Sequence, residues 1–185
     1  MPRRQVWGYL LNCSMSINIR FATIADAGLI VDLSRKTFNE TFAPQNTKEN
    51  MDLFIEKYYA LETIQAELSD PLNIFILAYS GNQLVGYAKM NDHLKEESKE
   101  LENPIEIERI YSIKEMIGKG IGKKLMETCL AIAGEKNKKE IWLGVWEYNY
   151  RAVEFYTRWG FEKFGEHSFP VGNDPQTDQL MKRTV

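Results

Sequence analysis

Apolar residues along the chain follow two different periods, so the pattern predicts both strands and helices. Ile17, Ile19 and Phe21 alternate with polar residues, which is typical of a strand. Thr23 and Asp26 follow with a spacing that resembles a capping box, a motif of helix starts. The helix that they begin would bury residues at a helical period: Ala27, Ile30, Val31, Ser34 and Phe38.

A second helix is predicted after a short irregular stretch. The helical period loosens from Phe38 through Pro44, which indicates a loop. Thr47 is a typical helix N-cap. The helix that it starts would bury four apolar or aromatic residues: Met51, Phe54, Ile55 and Tyr58.

A hairpin and a charged loop are predicted in the middle of the chain. Two β-rich runs, 73–79 and 84–91, flank a Ser-Gly-Asn-Gln sequence that is typical of a hairpin turn. Residues 92–103 mix acidic and basic side chains without an apolar period. We expect a solvated loop or a short surface helix there, with no role in chemistry.

The next strand contains an irregularity. Ile105 and Ile107 alternate with glutamates, but Arg109 occupies the position where another apolar residue is due. A broken alternation of this kind indicates a β-bulge, which inserts one extra residue into a strand. The pattern therefore predicts a bulge near Arg109.

A glycine-rich turn joins this strand to a helix, and the chain is organised around that unit. The turn reads Ile-Gly-Lys-Gly-Ile-Gly-Lys at 117–123. Glycines leave backbone N–H groups unshielded and a helix N-terminus favours anions, so the unit predicts a phosphate or pyrophosphate site. Taken alone, the turn is also compatible with a flexible helix entry. The helix presents one apolar face, made of Ile121, Leu125, Cys129, Ile132 and Ala133.

The C-terminal third predicts one helix and three strands. Residues 141–145 alternate as a strand, and 148–159 follow a helical period that ends at Gly160. Residues 161–168 and 179–184 predict a closing strand pair, joined by a loop that contains Pro170, Gly172, Asn173 and Pro175. Together these elements predict an α/β (α+β) fold, with a mixed sheet of roughly six or seven strands and flanking helices.

Composition narrows the classes of function. The 185 residues are 44% hydrophobic and 26% charged, which is typical of a single folded domain. We expect this domain to span residues 15–185. Residues 1–14 would be an N-terminal extension that is dispensable. A net charge of −3 argues against a nucleic-acid binder and suits a cationic substrate. No apolar run approaches the roughly 20 residues of a membrane span, so we expect no membrane partner.

The cysteines and histidines give little sign of chemistry. Cys13 and Cys129 are the only cysteines. Cys129 lies on the apolar face of its helix, so we expect a small buried thiol and a reducing, cytoplasmic compartment. His93 and His167 are the only histidines and have no companions with metal-ligand spacing, so no metal is implied.

The spacing of the glycines excludes two common phosphate-binding motifs. A P-loop requires glycine where Ile117 stands and serine or threonine where Lys124 stands. A dinucleotide-binding fingerprint requires glycine where Lys123 or Leu125 stands. What remains is Gly-x-Gly-x-Gly with a second cluster downstream, made of Asn149, Ala152, Phe155, Tyr156, Gly160 and Phe161.

These two clusters together resemble the GCN5-related N-acetyltransferase (GNAT) family, over residues 19–181. Residues 142–147, 167–169 and 176–178 resemble one branch, the PaiA-like spermidine/spermine acetyltransferases. The resemblance implies the family's fold, in which two central parallel strands splay apart. It also implies acetyl-CoA as cofactor and a small-molecule amine, here a polyamine, as partner. A monomer and a homodimer are both compatible with the sequence.

The resemblance also implies roles for individual residues. Tyr156 occupies the position of the family's general acid, which protonates the departing thiolate. Asn149 would contact the pantetheine arm or act as a plain N-cap, and Arg158 would reach the nucleotide phosphates or be a surface charge. The other expected cofactor contacts come from the bulged strand and the glycine turn: Ile110, Tyr111, Ser112, Ile117, Gly118, Lys119, Gly120, Ile121, Gly122 and Lys123.

One residue of the turn departs from the family pattern. Ile117 stands where the family usually has glutamine or arginine. The change removes a polar side chain but keeps the backbone N–H group. We therefore expect the backbone N–H group of Ile117 to contact phosphate and cofactor binding to survive the change.

The acceptor side is less determined by the sequence. An amine with a pKa of about 10 is mostly protonated at neutral pH, so a base is required. Glu40, Glu108 and Glu147 all qualify chemically as that base or as contacts for the substrate's charges. In the family the first two helices shape the acceptor pocket, which makes their aromatic residues candidate contacts or, alternatively, core: Phe38, Phe42 and Tyr58.

The sequence therefore predicts acetyl transfer from acetyl-CoA to a primary amine of spermidine or spermine. One alternative is acetyl transfer to another amine, such as a protein N-terminus or an aminoglycoside. The other alternative, from a different class, is a catalytically silent CoA-binding regulator. An intact Tyr156 favours an enzyme.

Overall fold

The computed structural model describes residues 16–185, so the predicted extension 1–14 and Cys13 lie outside the described residues. Seven strands form one sheet: Ile17–Phe21 (β1), Asn73–Ser80 (β2), Gln83–Asn91 (β3), Pro104–Ser112 (β4), Glu140–Trp146 (β5), Glu162–Val171 (β6) and Asp174–Thr184 (β7). Five α-helices accompany it: Ala27–Phe42 (α1), Lys48–Tyr58 (α2), Leu61–Ser69 (α3), Ile121–Glu135 (α4) and Tyr150–Arg158 (α5). Within 16–185, every helix is too short or too polar to cross a membrane.

The sheet has the order β1-β2-β3-β4-β5-β7-β6. Its strands pair antiparallel except β4 and β5, which run parallel. The parallel pairing covers a short segment, from Pro104 with Glu140 to Glu106 with Trp142. β4 continues to Ser112 and β5 to Trp146, so the two strands separate over their second halves. This confirms the predicted mixed sheet with a splayed central pair.

The predicted bulge in β4 is present. Lys89 of β3 pairs with Arg109, and the next residue, Met90, pairs with Ile107. Glu108 is therefore the extra residue of the bulge, one position before the break in the pattern. Because Glu108 is extra, Arg109 faces the opposite side of the sheet from Ile107. The bulge therefore explains why Arg109 is charged where the alternation required an apolar residue.

Helices cover both faces of the sheet. The Ser34 hydroxyl of α1 donates to the Tyr87 hydroxyl of β3 at 2.9 Å. Gly86 faces the opposite side, because a Cβ placed there would lie 2.8 Å from Ile121 Cγ2 of α4. Tyr111 pairs with Tyr87 and hence lies on the α1 face. We call this side the α1 face and the other side the α4 face.

Helix α1 extends further than predicted. The loosening pattern placed a loop from Phe38 onwards, which is wrong, because the helix continues to Phe42. Phe38 and Phe42 lie one turn apart, both are buried, and their ring centroids are 4.6 Å apart. Phe42 also packs on Trp146 of β5, with 5.6 Å between ring centroids. Tertiary packing of these aromatics therefore stabilises the last helical turn.

Helix α3 is not predicted by the hydrophobic pattern. Of its nine residues, only Ile64 is buried. A helix with one buried residue has a weak period, and its sequence is compatible with a loop. Its position nonetheless matters, because α3 places Glu67 against β4.

The closing strands are longer than predicted. A loop was expected between 168 and 179, but β6 and β7 are joined by the two-residue turn Gly172–Asn173, and Pro170 pairs with Pro175 within the strands. β6 is an edge strand, and β7 pairs with β5 only as far as Asp178. Proline has no backbone N–H group to donate to a neighbouring strand. Both prolines therefore lie at positions where no third strand pairs with β6 or β7.

The charged segment 92–103 forms an irregular loop with one short 3-10 turn, as predicted, but it is not merely solvated. Asp92 pairs with Lys138, Lys95 Nζ lies 2.6 Å from Glu106 Oε2, and Glu97 contacts β6. Ser98 and Leu101 are buried. The segment therefore also carries charges to the sheet, and the expectation that it has no role in chemistry stays a prediction.

Candidate active site

The glycine turn has the backbone geometry that its sequence requires. Gly118 and Gly120 have φ angles of +78° and +88°, in the left-handed region that favours glycine. Lys124 N–H donates to Gly120 O at 3.0 Å, which is the first hydrogen bond of α4. The N–H groups of the preceding four residues therefore have no acceptor within the helix: Gly120, Ile121, Gly122 and Lys123. Four such donors at a helix N-terminus form a site for an anion.

Not every N–H group of the turn is free. Ile117 N–H donates to Lys114 O at 3.3 Å and Lys119 N–H donates to Met116 O at 3.2 Å. The N–H group of Ile117, expected to contact phosphate, thus has a protein acceptor already. Its side chain is 37% exposed. The expected contact at Ile117 stays a prediction, whereas the N–H groups from Gly120 to Lys123 have no acceptor within the helix.

The second sequence cluster lies beside this turn. A Cβ built on Gly122 would lie 3.6 Å from Phe155 Cζ of α5. Phe155 and Tyr156 have ring centroids 5.5 Å apart. The fold therefore brings the glycine turn and the aromatic cluster together, although more than thirty residues separate them in the sequence.

The splayed part of β4 offers a free edge. Ile110, Tyr111 and Ser112 pair with β3 on one side. On the other side, pairing with β5 ends at Glu106. An extended ligand can add to such an edge through backbone hydrogen bonds, as an additional strand does.

Asn149 and Arg158 have structural partners in α5 itself. Asn149 Oδ1 accepts from Ala152 N–H at 3.3 Å, which is the geometry of an N-cap. Arg158 has a side chain that is 66% exposed and lies 3.5 Å from Glu154. These contacts account for both residues without a ligand, so their cofactor roles stay predictions.

Tyr156 lies in the interior, within electrostatic range of Tyr111 in the part of β4 that no longer pairs with β5. The residue is 8% exposed, and its ring centroid is 5.9 Å from that of Phe161. Burial raises its pKa well above the usual value, and the nearby Cys129 and Asp178 raise it further. Cys129 is fully buried, as predicted, and burial raises the pKa of its thiol to about 12. The Tyr156 phenol is therefore neutral at physiological pH and carries a proton to donate.

Glu108 is held in a buried ion-pair cluster. Its Oε1 lies 2.7 Å from Lys89 Nζ, and its Oε2 accepts from Asn91 Nδ2 at 2.8 Å. Burial acts to raise its pKa, but the charges of Lys89, Arg109 and Lys95 outweigh burial and lower the pKa to about 2. Both oxygens are engaged and the carboxylate is a weak base, so the geometry does not favour Glu108 as the proton acceptor.

The other two candidate carboxylates differ in their environments. Glu40 Oε2 accepts from Lys114 N–H at 2.9 Å, and Glu40 Oε1 lies 3.7 Å from Lys36 Nζ. Glu147 is half-buried just after β5, and its N–H donates to Thr177 O at 3.1 Å. Glu40 therefore anchors the segment that leads to the glycine turn. The substrate roles of both residues stay predictions.

The aromatic candidates divide between core and surface. Phe38 and Phe42 are buried, and Phe38 stacks on Phe54 with centroids 4.2 Å apart. Tyr58 lines an open cavity of about 470 Å³ between α2 and the β6–β7 turn. Phe38 and Phe42 are therefore core residues, which was one of the two expected roles. Tyr58 lies at a site that a ligand can reach.

A cluster around Asp178 does not appear among the predicted site residues. Asp178 of β7 is 8% exposed, and its Oδ1 is buried without a hydrogen-bond partner among residues 16–185. His167 Nε2 lies 3.9 Å from Asp178 Oδ2, and His167 Nδ1 lies 3.0 Å from Glu97 Oε1. Two sequence signals bear on this cluster: residues 167–169 and 176–178 contribute to the resemblance to the PaiA-like branch, and Gly144 interrupts an otherwise apolar strand beside this pair.

Comparison with known proteins agrees with this geometry. The family model described as the acetyltransferase (GNAT) family matches residues 33–161. An uncharacterised N-acetyltransferase of Lactobacillus delbrueckii subsp. lactis is 36% identical over 155 residues, which cover 84% of this chain and 90% of the relative. A spermine/spermidine N(1)-acetyltransferase of Bacillus subtilis is 28% identical over 156 residues, covering 84% and 93% of the two chains.

A solved structure shares the fold. The PaiA N-acetyltransferase from Thermoplasma acidophilum, crystallised with coenzyme A, superposes with a TM-score of 0.78 and 24% identity over 92% of this chain and 100% of that one. The free N–H groups of the glycine turn suit a diphosphate, and the open edge of β4 suits a pantetheine arm. The chain therefore belongs to the acetyltransferase (GNAT) family and is an N-acetyltransferase whose acetyl donor is acetyl-CoA.

Proposed function

We propose that this enzyme acetylates a primary amine of a polyamine such as spermidine or spermine, with Tyr156 as general acid. The observation that carries the proposal is that Tyr156 is buried and lies within electrostatic range of Tyr111, in the part of β4 that has separated from β5 to leave an opening. A cofactor arm that lies along the free edge of β4 passes this opening. The phenol is then the proton donor available at the reacting end.

The chain's own groups hold the cofactor in this proposal. The N–H groups of Gly120, Ile121, Gly122 and Lys123 bind the diphosphate, and the backbone of Ile110, Tyr111 and Ser112 binds the extended arm. Acetyl-CoA supplies the acetyl group as a thioester, so that transfer forms a C–N bond and breaks a C–S bond. The sulfur leaves as a thiolate, whose pKa resembles that of cysteine, about 8.5.

Tyr156 protonates this thiolate. Burial and the neighbouring groups raise the pKa of Tyr156, so the phenol keeps its proton until the sulfur leaves. A proton delivered at that moment prevents the thiolate from attacking the product again. Without the hydroxyl, the site would have to release a free thiolate into a poorly hydrated opening.

The charge of the protein and its relatives support a polycationic acceptor. The net charge is −3, and α1 carries Glu40 at the approach to the site. The Bacillus subtilis relative bears the name of a spermine/spermidine N(1)-acetyltransferase. A cationic amine is attracted by an acidic surface, and this attraction weakens as salt is added.

The test is thiol release from acetyl-CoA by the purified protein with spermine, spermidine, a lysine peptide and an aminoglycoside. We expect turnover with the polyamines and a loss of about 10²-fold or more in kcat for Tyr156→Phe. Tyr150→Phe is the matched control, because Tyr150 lies on the same helix but is exposed. Its kcat should remain that of the wild type.

The other outcomes decide among the alternatives. Turnover with the lysine peptide or the aminoglycoside alone would replace the polyamine with another amine. Acetyl-CoA binding without turnover on any amine would favour the silent regulator. Equal kcat for Tyr156→Phe and the wild type would contradict the role of Tyr156 as acid.

A further inference from the structure

A buried carboxylate, Asp178 of β7, lies on the α1 face beside the end of β5 that has separated from β4. Asp178 pairs with Trp146 in the ladder between β7 and β5, and Trp146 packs on Phe42 of α1. Residues directly opposite each other in an antiparallel pair share a face of the sheet. Asp178 therefore points to the α1 face, near the splayed ends of the central strands.

One oxygen of the Asp178 carboxylate lacks a hydrogen-bond donor. Its Oδ1 is buried and has no hydrogen-bond partner within the described chain. A buried polar atom without a partner is costly, and a charged one more so. The carboxylate thus has an unfilled requirement for an N–H or O–H donor at Oδ1, and its other oxygen, Oδ2, is the one that lies beside Gly144.

Gly144 leaves open space beside this carboxylate. Gly144 is exposed although its neighbours Leu143 and Val145 are buried. A Cβ at Gly144 would lie 3.2 Å from Asp178 Oδ2 and 3.6 Å from His167 Nε2. Any side chain at position 144 would fill the space between β5 and these two groups. An amine nitrogen that enters this space reaches Asp178 Oδ2.

His167 connects Asp178 to solvent. Its Nε2 lies 3.9 Å from Asp178 Oδ2, and its side chain is 29% exposed. On the other side of the ring, Nδ1 lies 3.0 Å from Glu97 Oε1. This contact assigns the Nδ1–H tautomer to a neutral His167, since the carboxylate can only accept. Nε2 then carries a lone pair towards Asp178.

We propose that Asp178 accepts a proton from the ammonium group of the acceptor and that His167 relays this proton to solvent. The inference rests on the proposed function, because it requires an amine acceptor. An N–H bond of the ammonium breaks, an O–H bond forms on Asp178, and the electron pair stays on nitrogen as the nucleophile. The proton then moves to Nε2 of His167 and from there to water, which restores the carboxylate.

This arrangement couples two proton transfers. Burial contributes most to the raised pKa of Tyr156, Cys129 comes next, and the negative charge of Asp178 adds to them. Protonation of Asp178 removes that last contribution. Tyr156 therefore becomes a stronger acid after the amine has been deprotonated, which is when the thiolate leaves.

Few other titratable groups face Asp178. Tyr111 of β4 lies near it, and burial, followed by the charges of Tyr87, Tyr156 and Asp178, raises the Tyr111 pKa above its usual value. His167 of β6 has a pKa raised first by Asp178 and then, against the opposing effect of burial, by Glu97. Among these groups His167 has the ordinary pKa closest to neutral, 6.5, so it sets the pH response of the relay.

The first experiment compares Asp178→Asn with Asp174→Asn, an exposed aspartate at the start of the same strand. The rate is measured between pH 6 and 10 with the amine that the wild type acetylates best, and acetyl-CoA binding is measured by calorimetry. We expect Asp178→Asn to lower kcat at pH 7 by about 10²- to 10⁴-fold without changing acetyl-CoA affinity. The rate of this variant should rise tenfold per pH unit towards the amine pKa, about 10, because only neutral amine reacts.

The second experiment uses His167→Ala and remains available if Asp178→Asn fails to fold. Removal of the ring interrupts the relay and leaves a partly exposed space. We expect kcat to fall about tenfold or more and to be restored by added imidazole. A purely structural role for His167 would leave the rate insensitive to imidazole.

The outcomes separate this inference from the proposed function. A wild type that acetylates a non-polyamine overturns the polyamine acceptor, and Asp178 is then tested on that amine. An Asp178→Asn variant within threefold of the wild type, or slower with the wild-type pH profile, overturns Asp178 as the proton acceptor. Absence of turnover on every amine overturns both.

Discussion

Glu67 of α3 and Arg109 of β4 form a bidentate ion pair, with 2.8 Å between each guanidinium nitrogen and its carboxylate oxygen. Lys89 Nζ of β3 also lies 2.8 Å from Glu67. Arg109 follows the bulged residue Glu108, which lies 3.3 Å from the same guanidinium. Helix α3, which the hydrophobic pattern does not predict, thus supplies the carboxylate that neutralises the buried charges of Arg109 and Lys89 at the bulge.

Replacement of Glu67 should therefore destabilise the fold. Glu67→Ala leaves Arg109 and Lys89 buried with Glu108 as their remaining counter-charge. We expect the free energy of unfolding in urea to fall by about 3 kcal/mol, the lower end for a broken buried ion pair. Glu62→Ala, at an exposed position of the same helix, should change it by less than about 0.5 kcal/mol. Equal effects of the two substitutions would contradict a structural role for this pair.

Two glycines should respond to alanine with opposite signs. A Cβ at Gly86 of β3 would lie 2.7 Å from Tyr111 O and 2.8 Å from Ile121 Cγ2. Gly86→Ala therefore forces β4 and α4 away from β3. We expect a loss of about 1–3 kcal/mol in unfolding free energy. Gly28→Ala meets no atom within 4 Å in helix α1 and should stabilise by about 0.4–1 kcal/mol. Thermal and urea denaturation of both variants measure this difference.

The glycine turn can be tested apart from its backbone strain. Gly120→Asp or Gly122→Asp introduces bulk and negative charge at the anion site, and we expect either to abolish acetyl-CoA binding in calorimetry. Gly160→Asp is the matched control for Gly120, because its φ of +81° resembles the +88° of Gly120 and it lies after α5. Both positive-φ variants should lose about 1–2 kcal/mol of stability from the strained backbone. Unchanged acetyl-CoA affinity in Gly120→Asp would contradict the assigned loop.

The pH dependence of stability should reveal the His167 ion pairs. Asp178, and then Glu97, raise the pKa of His167 in the folded protein above its ordinary value of 6.5. The stabilisation that protonated His167 contributes to the folded protein is fully present below about pH 6.5. It is lost as the pH rises through the folded-state pKa of His167. The difference in unfolding free energy between the wild type and His167→Gln should hence be larger at pH 6 than at pH 9. A difference that grows with pH would have the wrong sign.

Local signals were sufficient for most elements. The alternation in 105–107, its break at Arg109 and the glycines of 117–123 predicted a bulged strand, a turn and a helix, all of which are present. These features depend on neighbouring residues, because side-chain period and glycine dihedral freedom act over a few positions. The same local signals were too weak for α3 and stopped α1 a turn early.

The sequence by itself thus determined the mixed sheet, the glycine turn and the aromatic cluster with Tyr156. Only the tertiary structure decided which carboxylates are engaged, pairing Glu108 with Lys89 and leaving Asp178 beside Gly144. Asp178 and Gly144 are neighbours because β7 inserts between β5 and β6, an order that no local spacing encodes. Strand order sets contacts between residues far apart in the chain, and those contacts determine the charge and solvation of each candidate group.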